Sequence, residues 1–184
     1  MIDPDAIDQV LPLEDVKRHL NVEEADDDEL IQNIVYVAVE TIESETGHLI
    51  GQRTVSEHFR SFDAIRLRSW PIQSVAALAY FDESGNAVSL DPATARLSAA
   101  KRPGRLILTA GAWPAAMTAP DAVTVSMQAG HDPDAVPHRL RHAALVMVSD
   151  LYDKRESWTP GSASKVPLSL PVERLLASFE TWSI

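Results

Sequence analysis

The sequence contains no cysteine, which rules out a disulfide framework, a thiolate nucleophile and thiolate metal ligation. It also lacks any stretch of uncharged apolar residues long enough to span a bilayer, so no membrane partner is expected. Met1-Ile2-Asp3-Pro4-Asp5 has neither the basic head nor the apolar core of a secretory leader. Three sequence signatures of common active sites are missing as well: a Gly-x-Ser-x-Gly elbow, a phosphate-cradling glycine loop and a dinucleotide fingerprint. The basic excess of a protein that grips nucleic-acid phosphates is not there either, because the net charge is −11.

What is present is a chain of 184 residues, 45% hydrophobic and 23% charged, near the globular average. A chain of this size buries roughly two-thirds of its unfolded surface, so it needs no covalent staple. Its charge is unevenly placed. Residues 1–50 hold 14 acidic side chains against Lys17 and Arg18 only, while the remaining residues hold 13 acidic and 14 basic. The acidic excess therefore belongs to the first quarter, which argues against direct DNA binding and leaves open an acidic surface that DNA slides past without sticking.

Periodicity predicts a short helix over Leu13–Leu20, with Leu13, Val16, His19 and Leu20 on one face and Asn21 as its stop. A longer helix starts near Asp26, where Asp26-Asp27-Asp28-Glu29 supplies a cap and favourable charge at the positive end of the dipole. Its apolar stripe is Leu30, Ile31, Ile34, Val35, Val37, Ala38 and Ile42, and Gly47 sits where a left-handed C-cap belongs. From Arg53 to Gly130 the texture becomes β-branched and punctuated by turns. Thr54–Phe62, Ile65–Arg68, Val75–Phe81, Ala87–Leu90, Arg105–Leu108 and Ala122–Ala129 read as strands. Helix returns from Pro137 to about Glu156, with Leu140, Ala144, Met147 and Leu151 aligned. A Ser-, Gly- and Pro-containing loop, expected to be mobile, follows over Ser157–Leu170. Pro171 then opens a short helix. The fold class is α+β: a small helical bundle (about 13–50 and 135–156), a β-rich insertion (about 52–130) between the second and third helices, and a C-terminal helix within 157–184. All of it reads as a single domain over 1–184.

Chemistry is thinly represented. His138 and His142 are four apart on a predicted helix, the spacing of metal ligands, and His131 could be imagined as a third in a metal-dependent hydrolase. The zinc-protease pattern requires Glu directly after the first histidine. Arg139 stands there, and Arg141 adds a second charge that opposes a cation, so surface histidines are the expected outcome. The acidic run at Asp26–Glu29 lacks the alternating ligands and central glycine of a calcium loop. No catalytic residue, metal or cofactor is expected. The notable feature is the apolar set Leu175, Leu176, Phe179 and Trp182 near the chain end. It either completes the core or docks on another protein, and burial of such side chains is worth several kcal/mol at ~25 cal/mol per Å².

The order of these segments resembles the head–tail connector, or adaptor, family of long-tailed phages and gene transfer agents. The segments that carry the resemblance run from Leu13 to the chain end. They are Leu13-Glu14-Asp15-Val16-Lys17-Arg18-His19-Leu20-Asn21-Val22, Asp26-Asp27-Asp28-Glu29-Leu30-Ile31, Glu43-Ser44-Glu45-Thr46-Gly47 and Trp70-Pro71-Ile72-Gln73-Ser74-Val75. Pro103-Gly104-Arg105-Leu106, Trp113-Pro114, Val123-Thr124-Val125 leading to Ala129-Gly130, Leu151-Tyr152-Asp153-Lys154-Arg155-Glu156 and Leu168-Ser169-Leu170-Pro171-Val172-Glu173-Arg174-Leu175-Leu176 complete the set. Each is only a helix or turn signature. Their joint order is what resembles the family.

The resemblance implies a virion structural protein of the head–tail neck, made in a bacterial host cytoplasm, that forms a ring, usually twelvefold, beneath the portal. The ring extends the DNA channel toward the tail without specific DNA binding, and its partners are the portal protein, a stopper or other neck proteins, and copies of itself. The C-terminal set Leu175, Leu176, Phe179 and Trp182 is the expected portal-docking element. A stopper or tail-completion protein is the neighbouring alternative. The acidic quarter repels its own copies at low salt, so light scattering on the isolated chain at micromolar concentration should give monomers or weak association. A tight dimer would contradict that expectation.

Overall fold

Helix α3 (Asp28–Thr46) carries the packing of the helical part. Its fully buried residues, Ile31, Val35, Ala38, Val39 and Ile42, follow helical spacing. They face a matching row on α4 (His138–Asp153) formed by Leu140, Ala143, Ala144, Met147 and Val148. The structure is a computed structural model that describes residues 3–154 and 168–179. The chain divides into two compact units, Met1–Gly51 with His131–Ile184, and Gln52–Gly130.

In the helical unit, α1 (Pro4–Val10), α2 (Leu13–Leu20) and α5 (Leu170–Leu176) pack around the α3–α4 pair. Helix α1 was not expected. Its start is nevertheless written in the residues: Asp3 accepts the Ala6 N–H at 3.4 Å, and Pro4 occupies the first turn. It buries Ala6, Ile7 and Val10. The carbonyl oxygen of Ala6 lies so close to Gly51 that a Cβ there would meet it at 2.7 Å, so α1 seats against a position with no side chain.

Two expected helix faces shift. On α2, Val16 is buried together with Lys17, while His19 is exposed. Lys17 goes inside because its ammonium meets Asp28 at 2.6 Å, and its apolar stem covers core surface. That hydrogen bond also holds the Lys17 pKa above its ordinary value. On α3, Leu30 is 40% exposed and Val39 is buried in its stead. The helix is covered by α1, α2 and α4 together, so its buried arc is wider and rotated relative to a single stripe. Two expected helix ends are in place: Asn21 and Gly47 are left-handed, with φ of 56° and 66°.

The β unit is a four-stranded antiparallel sheet in the order β1 (Arg53–Phe59), β6 (Val123–Ala129), β2 (Ile72–Phe81), β3 (Ala87–Leu90), with a separate hairpin of β4 (Ala95–Ser98) and β5 (Arg105–Leu108). Central β6 buries Val123, Val125, Met127 and Ala129 and turns Thr124, Ser126 and Gln128 the other way. In register, Arg53 pairs with Ala129 and Phe59 with Val123, so the unit begins and ends side by side. Asp82 shapes the β2–β3 turn by accepting the N–H groups of Ser84 and Asn86 at 2.9 and 2.8 Å, bonds that lower its pKa. Ring packing anchors the interior: Phe62 stacks on Trp113 at 4.6 Å. The expected strand Ile65–Arg68 is reduced to one bridge, Leu67 to Gly104. The strand Ala95–Ser98 was not expected, because its Ala-Arg-Leu-Ser sequence is extended only through its pairing with β5.

Replacing Leu140, which is fully buried between helices, by alanine should cost about 2–5 kcal/mol. The same change at Leu30 should cost about 0.5 kcal/mol or less. Urea unfolding of the two variants checks this, and equal losses would contradict the assigned seam.

Candidate docking site

Helix α5 follows Ser169 with Pro171 in its first turn. Val172 and Leu176, one turn apart, are buried at 0% and 1% exposure, and Leu175 and Phe179 are half-buried against the same core. The helix lies along α4, and Arg139 of α4 donates to Ser178 Oγ at 3.2 Å. In the isolated chain, then, Leu176 is a core side chain, Val172 joins it, and Leu170 is the apolar residue left outside, at 69% exposure. Trp182 lies outside the described residues, as does 157–167 of the expected loop.

Phe179 has a further neighbour that sequence reasoning missed. His48, 8% exposed, stacks on His131 with ring centroids 5.5 Å apart and planes 9° from parallel, and Phe179 meets His48 edge-on at 5.1 Å. Nδ1 of His48 lies 3.2 Å from Nε2 of His131. The backbone is tied down at the same place. The Ile50 N–H donates to Glu43 Oε1 at 2.8 Å, the His48 N–H to Thr46 Oγ1 at 3.1 Å, and the His131 N–H to the Leu49 carbonyl at 3.1 Å. Burial holds the His131 imidazole below its ordinary pKa, partly offset by Asp132. No periodicity signals this cluster, since the two histidines are 83 residues apart and meet only through the topology.

His138 and His142 are exposed on α4. Among the described residues, no group of three or more His, Asp or Glu side chains could hold a metal ion. The acidic run splits between two tasks: Asp28 pairs with Lys17, and Asp27 accepts the Tyr152 hydroxyl of α4 at 2.6 Å. Asp8 accepts from Gln32 at 2.8 Å and from the Tyr36 hydroxyl at 3.2 Å, joining α1 to α3. Burial, and then the Asp8 charge, raise the Tyr36 pKa.

Residues 11–80 match the family model described as phage gp6-like head–tail connector protein. The chain resembles head–tail connectors. That stretch contains α2, α3, β1 and nearly all of β2. The whole chain superposes on a chain from the virion of a native gene transfer agent particle, with a TM-score of 0.73 and 21% identity over 100% of this chain and 94% of that one. It matches a chain from the neck of the empty particle computed with C6 symmetry (TM-score 0.72, 22% identity, 100% and 94% covered). A chain from the neck of the native particle computed with C12 symmetry gives 0.72 and 21%, covering 100% and 93%. A search of curated proteins gave no match. The fold of those particle chains is thus shared over the full chain, β unit included.

The His131 environment has a pH consequence. Its folded pKa lies below the ordinary 6.5, so folding favours the neutral ring. The stability gained is complete above that value and is lost as pH falls below it. Between pH 7.5 and 5.5 the urea midpoint of the wild type should fall further than that of His131→Gln. Parallel declines would show that His131 does not carry the effect.

Proposed function

We propose that this chain is a neck adaptor: a ring-forming structural protein that sits beneath the portal and carries the DNA channel toward the tail. The observation that supports this most strongly is the match over the entire chain to chains of gene transfer agent necks, together with the connector family model over residues 11–80. Ring formation fits the C6 and C12 symmetry under which those necks were computed, and a twelvefold ring is the natural assignment. A first quarter with 14 acidic residues against two basic suits a channel protein that lets DNA pass by repelling it. Deleting the gene from a producing host should leave DNA-filled heads without tails. Intact tailed particles in its absence would overturn the reading.

The C-terminal segment is proposed as the portal-facing element, with Leu175, Leu176, Phe179 and Trp182 as its apolar residues. Val172 and Leu176 hold α5 to the core of the free chain, so engagement through Leu176 requires α5 to exchange one apolar surface for another. Removing Pro171–Ile184 entire would strip Val172 and Leu176 from the core, so single substitutions make the cleaner test. Trp182→Ala should reduce attachment to portal-bearing heads, at the roughly 2 kcal/mol typical of an aromatic anchor, with the melting temperature unchanged. Leu176→Ala should lower stability by about 2–5 kcal/mol. Normal attachment of the Trp182 variant would remove that residue from the interface.

A further inference from the structure

The hairpin β4–β5 and the Leu67 bridge present one outward face. Leu97 pairs with Leu106, and Leu67 with Gly104, on the inward side, where Leu67, Gly104 and Leu106 are buried. By strand alternation, Arg66, Arg68, Arg96, Arg105 and Ile107 share the opposite side, and all five are exposed. Ile107, at 43% exposure, is thus an apolar residue set among four arginines. None of these arginines has an ion-pair partner among the described residues. Three of this unit's six acids are engaged elsewhere: Glu57 accepts the N–H groups of Arg68 and Ser69, Asp82 those of its own turn, and Asp91 that of Ala93.

The helical unit offers the complement. Glu23, Glu24, Asp26 and Glu29 are exposed without an ion-pair partner among the described residues, beside Leu30 at 40% exposure. Residues 52–130 carry eight basic and six acidic side chains, and the rest of the chain eight basic and 21 acidic. We propose that the Arg66–Arg68–Arg96–Arg105–Ile107 face of one copy docks on the Glu23–Glu24–Asp26–Glu29–Leu30 face of the next. The occupant is a second copy of this chain, and the claim rests on the ring reading above. Two different surfaces in contact make a head-to-tail interface, the kind that closes into rings when the rotation allows. Each side offers one apolar residue inside a charged surround of opposite sign, which sets register and partner choice.

The test is charge reversal in a producing host, reading tailed particles and neck occupancy, with each variant's melting curve recorded. Arg96→Glu with Arg105→Glu, and separately Glu24→Arg with Glu29→Arg, should each lower the tailed-particle yield about tenfold or more, as expected when like charges are juxtaposed. A chain carrying all four changes should regain most of the yield, since every interface is then complementary again. Single-face variants that assemble like wild type, or a four-change chain no better than either pair, would overturn the interface. Suppose instead that the wild type retards duplex DNA in a gel, Arg96→Glu with Arg105→Glu abolishes this, and the acidic pair assembles normally. The face then belongs to DNA and the proposal is wrong. Wild-type chain absent from purified necks would overturn the ring reading itself, whereas its presence beside unaffected variants would sink this interface alone.

Discussion

The structure depends on the chain leaving and re-entering its helical core at one point. A long insertion between α3 and α4 is tolerable only if its ends are close together, since loop closure otherwise sets the flanking helices apart. The residues meet this condition twice. Inside the β unit, the first residue of β1, Arg53, pairs with the last of β6, Ala129. Inside the helical unit, the Leu49 carbonyl accepts the His131 N–H. With both ends pinned, Ile31, Val35 and Ile42 can meet Leu140, Ala144 and Met147 across a separation of about a hundred residues.

That same point is where the C-terminal segment arrives. Phe179 lies edge-on to His48, which stacks on His131, so the segment leaving the helical core, the segment returning to it and the stretch after α5 share one aromatic cluster. Helix α5 is only seven residues long, too short to persist without a surface, and Val172 and Leu176 supply its hold on the core. This arrangement ties α5 to the helical core of the free chain.

Much of this was legible in the residues, and the failures have physical reasons. Helix α3, its glycine cap and alternating β6 were readable because a long period or strict alternation outweighs local context. Helix α1 is not signalled by periodicity although Asp3-Pro4 announces it, since seven residues, about two turns, give little pattern. The inward turn of Lys17 was invisible because it depends on Asp28, eleven residues away on the next helix. Strand β4 exists only by pairing, and the His48–His131 stack only by topology. Leu175, Leu176, Phe179 and Trp182 stand out in the sequence by their apolar spacing. That spacing by itself does not separate a core helix from an interface helix, and the burial of Leu176 decides the question for the free chain alone.

The charge pattern links fold to assembly. Most of the acid, 21 of 27 side chains, lies in the helical unit, while Arg66, Arg68, Arg96 and Arg105 of the β unit are exposed without an ion-pair partner among the described residues. The most direct measurement of the account is a reconstruction of the neck from particles made in the presence of this chain. The account predicts a closed ring of copies, each showing the α3–α4 pair with its β insertion, directly below the portal. Neck density with no place for this fold, in particles that are otherwise complete, would contradict it.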